Sequence, residues 1–500
     1  MPATTAASPA IRPAAEPAAP DRATAGSAVA RFAAFIATAE PPPEARAAAR
    51  DAVLDTVGVA LAGSVEPSAR IVHQVAHLDG SVAGPSFILG TSATAGPGWA
   101  ALANGTAAHA LDFDDMCWVT LAHPSTPLVA AALAAAEAEN APGLALLDAY
   151  VVGFEVEAAL GRAMNRKHYE QGWHCTATIG TIGAAAAAAR VYGLDAGATG
   201  RALAIAASEA SGLKENFGTM VKPLQAGLAA RNGVLAALFA REGLTASDRA
   251  IDGPQGFLVA MQSAGRDLAG GLDRLGREWE IVDGGITVKL YPSCAATHPT
   301  IDTLLDLRRE TGIGPADVEA VEIDVDPVVP TVLIHDRPTT GLEGKFSLHY
   351  CAAAALAFGR VDIDTFETAA MQSPDVVRLV PRVTMRADER LGRDAPPLTE
   401  ARITLRLTDG RTLERAVRGA RGYPENPASA AELDDKFLAC AQRAVPPEAA
   451  EAALGWLRTL DEAPTARSLA CHLATRAEVS ASADAGASVG VDTSAGHSAT

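Results

Sequence analysis

Positive charge is scarce in this 500-residue chain. Its 41 Lys and Arg face 59 Asp and Glu, a formal net charge of −18. A sequence-independent grip on nucleic acid or an anionic membrane needs the opposite sign over a large surface, so neither is an expected partner. Cysteine is sparse as well: Cys117, Cys175, Cys294, Cys351, Cys440 and Cys471 are widely spread with no CxxC pair. That excludes a disulfide scaffold and suits reduced thiols in the cytoplasm. The N-terminus places Pro, Glu and Arg where a secretory signal needs an unbroken apolar core. Two uncharged stretches, residues 116–136 and 171–189, are interrupted by His, Pro, Gly or Thr, so neither reads as a membrane span.

Several signatures are missing between the terminal tails: no GxxxxGK[ST] loop, no strand-GxGxxG-helix unit and no HExxH. The one GxSxG match, Gly486 to Gly490, lies in a low-complexity tail without the strand-turn-helix context of a nucleophile elbow. ATP-driven, nicotinamide-dependent, zinc-protease and serine-hydrolase chemistry lose their support. Lysine is also rare, with only six among the 41 basic residues. Where arginine is the default cation, each retained lysine asks why a compact, titratable ammonium was kept.

What is present is mostly helical. Residues 1–28 and 478–500 are Ala/Pro-rich and Ser/Gly/Ala-rich and are expected to be disordered tails. Residues 29–271 read as an all-helical domain, with helices such as Pro43–Leu61, Pro127–Ala138, Gly143–Met164, Gly183–Val191 and Ala226–Glu242; their alanine-rich faces let axes approach closely. Residues 272–420 carry strand signals at Trp279–Val282, Val288–Tyr291, Val318–Val325 and Ala401–Leu407, the last turning through Asp409-Gly410 into Thr412–Val417. With helices at Thr300–Thr311 and Lys345–Phe358, this part reads as a smaller α+β lid domain. Helices over 421–477 are expected to rejoin the first domain, making the fold class mostly α with an inserted α+β lid.

Five polar segments stand out from this bland background. His109-Ala-Leu-Asp112-Phe-Asp114-Asp115, followed by His123-Pro-Ser125, crowds three carboxylates that repel one another unless paired, bonded or exposed. It reads as a capped helix end, as a magnesium-type carboxylate site, or as acid/base machinery. Gly172 to Thr181, with Trp173-His174, has the look of an anion-binding helix start. Gly212 to Gly227 carries Lys214 and, where Pro223 opens the next helix, Lys222. Val288 to Cys294 with His298 carries Lys289 and Tyr291, and Gly344 to Tyr350 carries Lys345. Four of the six lysines therefore lie in the segments that hold the His and Asp candidates, as a cleft for a di- or tricarboxylate requires.

The blocks HALDFDD, HPS, GWHCTATIGT, NFGTMVKPLQAG, KLYPSCAATH and KFSLHY resemble the MmgE/PrpD family, which includes 2-methylcitrate dehydratases and cis-aconitate decarboxylases. The resemblance implies a homodimer with its active site between the helical and lid domains and no required metal or organic cofactor. It implies catalytic roles for Asp112, His123, His174, Lys222 and Lys289. Lys214, Gln225, Tyr291, His298 and Lys345 are the expected substrate-binding residues. Three departures fall where substrate is read: Gln225 replaces a histidine of the decarboxylase-like KPLHxG block, Met116 replaces a threonine, and the spacer from Asp115 to His123 is about one residue longer. The expected reaction is lyase chemistry on a citrate- or aconitate-like acid; epimerisation of a substituted succinate and non-catalytic carboxylate binding are the alternatives. His123, oriented by Asp112, is the expected general acid/base, with His174 a second donor or carboxylate contact.

Overall fold

The computed structural model describes residues 26–263, 267–393 and 398–473. Most of both expected disordered tails, and the GxSxG match, lie outside these residues. The first helix begins earlier than the expected tail boundary, at Ala28, because the Ser27 side chain caps it by accepting from Ala30 N–H.

A layered array of helices forms the larger part, as the alanine-rich sequence leads one to expect. Pro43–Ser64, Pro97–His109, Ser125–Glu139, Gly143–Met164, Cys175–Val191 and Val221–Arg241 are its main members. Small residues set how closely they pack. Val221–Arg241 crosses Pro97–His109 where Gly105 faces Gly227; a Cβ on Gly105 would lie 2.9 Å from the Gly227 Cα. Any larger side chain would force the two axes apart, and with them Lys222 and His109, which they carry. Helix Ala430–Ala441 docks on Pro43–Ser64, with Phe437 filling the space beside Gly58. Its Lys436 pairs with buried Asp55 at 2.6 Å and donates to the Phe113 carbonyl at 2.9 Å, tying this helix to the loop after His109.

The smaller part is built on a four-stranded sheet in the order Val383–Ala387, Val318–Val325, Glu400–Leu407, Thr412–Arg418. The first pair is parallel and the rest antiparallel, with Val321 opposite Val383 and Ile323 opposite Ile403. Helices His298–Thr311 and Leu348–Phe358 cover it. Inward Val318, Val321, Ile323 and Val325 join one apolar core with residues of the helical part, including Phe32 and Ile179.

Two expected strands are not strands. Residues 280–283 form a helical turn, because the Glu155 carboxylate accepts the N–H groups of Glu280 and Ile281 at 3.0 and 3.1 Å and so caps that turn from another helix. Residues 288–291 bend at Leu290 and Tyr291 and join no sheet: Val288 N–H bonds the Gly422 carbonyl at 2.8 Å, and Thr287 pairs with Met116. A short hairpin, Val82–Phe87 with Thr94–Ala95, interrupts the helical part unannounced. Among the described residues no helix is long and apolar enough to cross a membrane, and all six cysteines are free.

Candidate active site

The loop between Pro97–His109 and Ser125–Glu139 supplies the centre of the site. Asp112 sits there in the left-handed region (φ 52°), which Asp tolerates better than most residues. Its Oδ1 accepts from Lys222 Nζ at 2.5 Å and its Oδ2 from Lys289 Nζ at 2.9 Å. Lys289 also donates to the Asp112 carbonyl at 2.9 Å. Burial alone would push the Asp112 carboxyl up, but Lys222 and Lys289 outweigh it and hold the group well below the ordinary carboxylate range.

Behind Lys222 lies a second relay. Lys222 Nζ meets His109 Nε2 at 2.7 Å, and His109 Nδ1 meets Asp114 Oδ2 at 2.7 Å. Because the ammonium can only donate, His109 carries its hydrogen on Nδ1 and passes it toward Asp114. Thr126 donates to the same carboxylate oxygen at 2.6 Å. Burial opposes ionisation of Asp114, yet His109 and His123 keep it ionised. Burial also lowers His109. Asp114, His109, Lys222, Asp112 and Lys289 thus form one continuous chain of alternating acceptors and donors.

His123 packs edge-on against His109, with ring centroids 4.5 Å apart. Its Nδ1 lies 3.4 Å from Asp114 Oδ2 and its Nε2 3.8 Å from Asp112 Oδ1. The nearer carboxylate is that of Asp114, but His123 Nδ1 has no hydrogen-bond partner, so the expected bond by which Asp112 would orient His123 is not formed and Asp114 does not replace it. Burial holds His123 well below its ordinary pKa. With 13% of its side chain exposed against 5% or less for Asp112, Lys222 and Lys289, His123 is the member of the cluster that meets solvent. His174 stands at the start of Cys175–Val191, stacked 5.7 Å from His109, with Nδ1 on Gln225 Oε1 at 2.7 Å.

The expected substrate-binding residues divide. Gln225 has both ends of its amide engaged, by His174 and by the Leu213 carbonyl at 3.3 Å, so it positions His174. Lys345 is buried with its Nζ on the Pro292 carbonyl at 2.7 Å and over the Phe366 ring at 4.4 Å. Burial lowers its pKa to about 7. It lines a cleft of about 630 Å³ that does not open on the cluster itself but on its chain neighbours Leu111 and Pro223. His298 is buried near Lys289, and burial lowers it to about 3. Lys214 stays at the periphery, 3.2 Å from the Tyr169 carbonyl and over the Tyr169 ring. Tyr291 directs its hydroxyl to Asp302, away from the cluster. His109 and Asp114 were not among the expected site residues; only their place within HALDFDD pointed to them.

Donor atoms of His109, Asp112, Asp114 and His123 lie within 4.8 Å of one another, a spacing that could hold a cation. The His109 and Asp112 lone pairs, however, already face the Lys222 and Lys289 ammoniums, and one Asp114 oxygen faces His109. A divalent ion there would have to displace two buried positive charges, so the residues do not fit one.

A mostly helical scaffold with a smaller α+β part thus carries a buried His/Asp/Lys cluster. Residues 27–268 match the MmgE/PrpD N-terminal domain and residues 291–462 the MmgE/PrpD C-terminal domain. The chain belongs to the MmgE/PrpD family. It is 30% identical over 435 residues to the cis-aconitate decarboxylase-like protein oryM of Aspergillus oryzae, covering 81% of this chain and 88% of that one. To the cis-aconitate decarboxylase of Mus musculus it is 30% identical, over 69% of this chain and 72% of that one. To that of Homo sapiens it is 27% identical, over 82% and 86%.

Proposed function

We propose that the protein is a lyase acting on a di- or tricarboxylic acid of the citrate/aconitate type, moving a proton at carbon next to a carboxylate with loss of water or carbon dioxide. The observation that carries this reading is the bridging of Lys222 and Lys289 by Asp112. Each ammonium has three N–H donors. Lys222 spends two on His109 and Asp112, and Lys289 spends two on Asp112. One N–H on each is left for a substrate carboxylate, in a buried site where such a bond is strong. His123, neutral and at the solvent-facing edge, is the general acid/base. Lys345, which has no carboxylate partner among the described residues, lines the neighbouring cleft and attracts the anionic substrate there. The similarity to cis-aconitate decarboxylases supports the tricarboxylate scale of the substrate.

The reading includes operation without metal or organic cofactor, because the two ammoniums supply the positive charge that a developing enediolate needs. A cytoplasmic homodimer completes it; the free cysteines suit a reducing compartment. Following unsaturated-acid absorbance and carbon dioxide release separately, on citrate and on cis-aconitate, tests the proposal. Formation of either product supports it, and inertness toward both contradicts it.

A further inference from the structure

Resting on the reading above, this inference concerns which acid fits. Gln225 Nε2 donates to the Leu213 carbonyl at 3.3 Å, and a carbonyl can only accept. The amide is therefore oriented with Oε1 toward His174 Nδ1, 2.7 Å away, and Nδ1 must carry the imidazole hydrogen. The loop that supplies Leu213 also holds His174 from the other side, through its N–H on the Gly212 carbonyl at 3.0 Å. Gly212 adopts φ 141°, and a Cβ there would lie 2.5 Å from the Ala177 methyl, so no residue with a side chain fits at this point of the loop. Burial, then the charge of Lys222, keeps the His174 ring neutral.

The opposite ring nitrogen is left with a lone pair. His174 Nε2 is buried with no hydrogen-bond partner in the protein, and the residue itself is only 2% exposed. The charges around the ring are those of the cluster, Lys222 and Asp112 with His109. A buried acceptor without a donor is unfavourable until something donates to it. Ionised carboxylates cannot, because they only accept; a lone pair facing one is repelled. A hydroxyl can.

We propose that Gln225 fixes His174 as a hydrogen-bond acceptor that reads a hydroxyl group on the substrate, so that the enzyme selects a hydroxylated di- or tricarboxylic acid over its unhydroxylated counterpart. Gln225 acts as a positioning residue and His174 Nε2 makes the contact. This assignment replaces the expectation that His174 donates a proton or meets a carboxylate. It also gives the glutamine at position 225 a chemical consequence: it is the residue on which the choice of substrate turns.

Two measurements test it. Calorimetric titration with citrate and with tricarballylate, the same skeleton lacking the hydroxyl, should show citrate binding about tenfold tighter or more, the scale on which an unpaired buried acceptor discriminates. Imidazole ¹⁵N NMR of histidine-labelled protein, with His174→Ala for assignment, should show the Nδ1–H form for His174. In Gln225→Glu, a carboxylate on Nδ1–H should favour the imidazolium, turn Nε2 into a donor and erase the preference for citrate. Equal affinity for the two acids, or an Nε2–H signal in the wild type, would overturn the inference while leaving the lyase reading standing. If neither acid binds while cis-aconitate does, the inference is overturned and the lyase reading stands; if none of the three binds, both fall.

Discussion

Lys289 grips Asp112 twice, at its backbone carbonyl and at its carboxylate, each at 2.9 Å. The left-handed backbone of Asp112 turns both oxygens toward the same ammonium, while the second carboxylate oxygen serves Lys222. One carboxylate thus bridges two buried cations and offsets one of their two charges. The substitution Asp112→Asn leaves both ammoniums uncompensated. The expected cost is about 3–5 kcal/mol of folding stability, the scale for breaking a buried ion pair, together with loss of activity. Urea unfolding of the variant checks it; an unchanged midpoint would show that the bridge does not hold the two cations in place.

Lys222 lies between His109 and Asp112 with contacts of 2.7 and 2.5 Å and is almost fully buried. A guanidinium is longer, planar and forked, and does not fit a site shaped for a point charge. Lys222→Arg should lower kcat/KM by about 10²–10³-fold, within the range ascribed to positioned acid/base groups. His109→Gln, which keeps an acceptor but loses the link to Asp114, should retain more activity than Lys222→Arg. Steady-state kinetics of the two variants decides the order.

The Lys345 ammonium, lowered to about 7 by burial, loses its charge near neutral pH before substrate binds. Less charge means weaker attraction for an anionic substrate, so KM should rise as pH increases through about 7. Lys345→Met should start from a higher KM and lose that rise. A wild-type KM that stays flat from pH 6 to 8.5 would remove Lys345 from the binding site.

Asp115 is buried against Ser125, whose hydroxyl also meets Tyr150 at 2.6 Å. Burial raises its pKa to about 8, against an ordinary value of 3.8. Between those limits the folded chain holds a proton that the unfolded chain has released. The stability linked to Asp115 is therefore fully present below about pH 4 and is lost as pH rises toward about 8. Asp115→Asn should flatten this part of the curve: between pH 6 and 8.5 its Tm should fall less than that of the wild type.

The long helices and the central strands were legible because their patterns are regular. Gly143–Met164 and Val318–Val325 fall where the sequence places them. Strand Val383–Ala387 was not foreseen; it is a sheet-edge strand with only Val383 buried, so it carries no alternation. The turn at 280–283 depends on a cap from Glu155, over a hundred residues earlier, which no local pattern reports. In the site, lysine scarcity pointed to Lys214, Lys222, Lys289 and Lys345, and the family resemblance chose Lys222 and Lys289 among them. It could not reveal His109 and Asp114: a histidine at a helix end and one acid among three neighbours have no distinguishing signal until the helices cross at Gly105 and Gly227. Nor could it separate Gln225 as a substrate contact from Gln225 as the partner of His174, a matter of where the amide points.

The most direct test of the central claim is ¹H NMR of a panel of di- and tricarboxylic acids, citrate and cis-aconitate among them, incubated with the enzyme in deuterated buffer. At least one hydroxylated or unsaturated tricarboxylic acid should be consumed with loss of water or carbon dioxide, with deuterium entering the carbon next to a carboxylate. If no acid of the panel is consumed or exchanges a proton, or if exchange occurs without loss of water or carbon dioxide, the lyase assignment is contradicted.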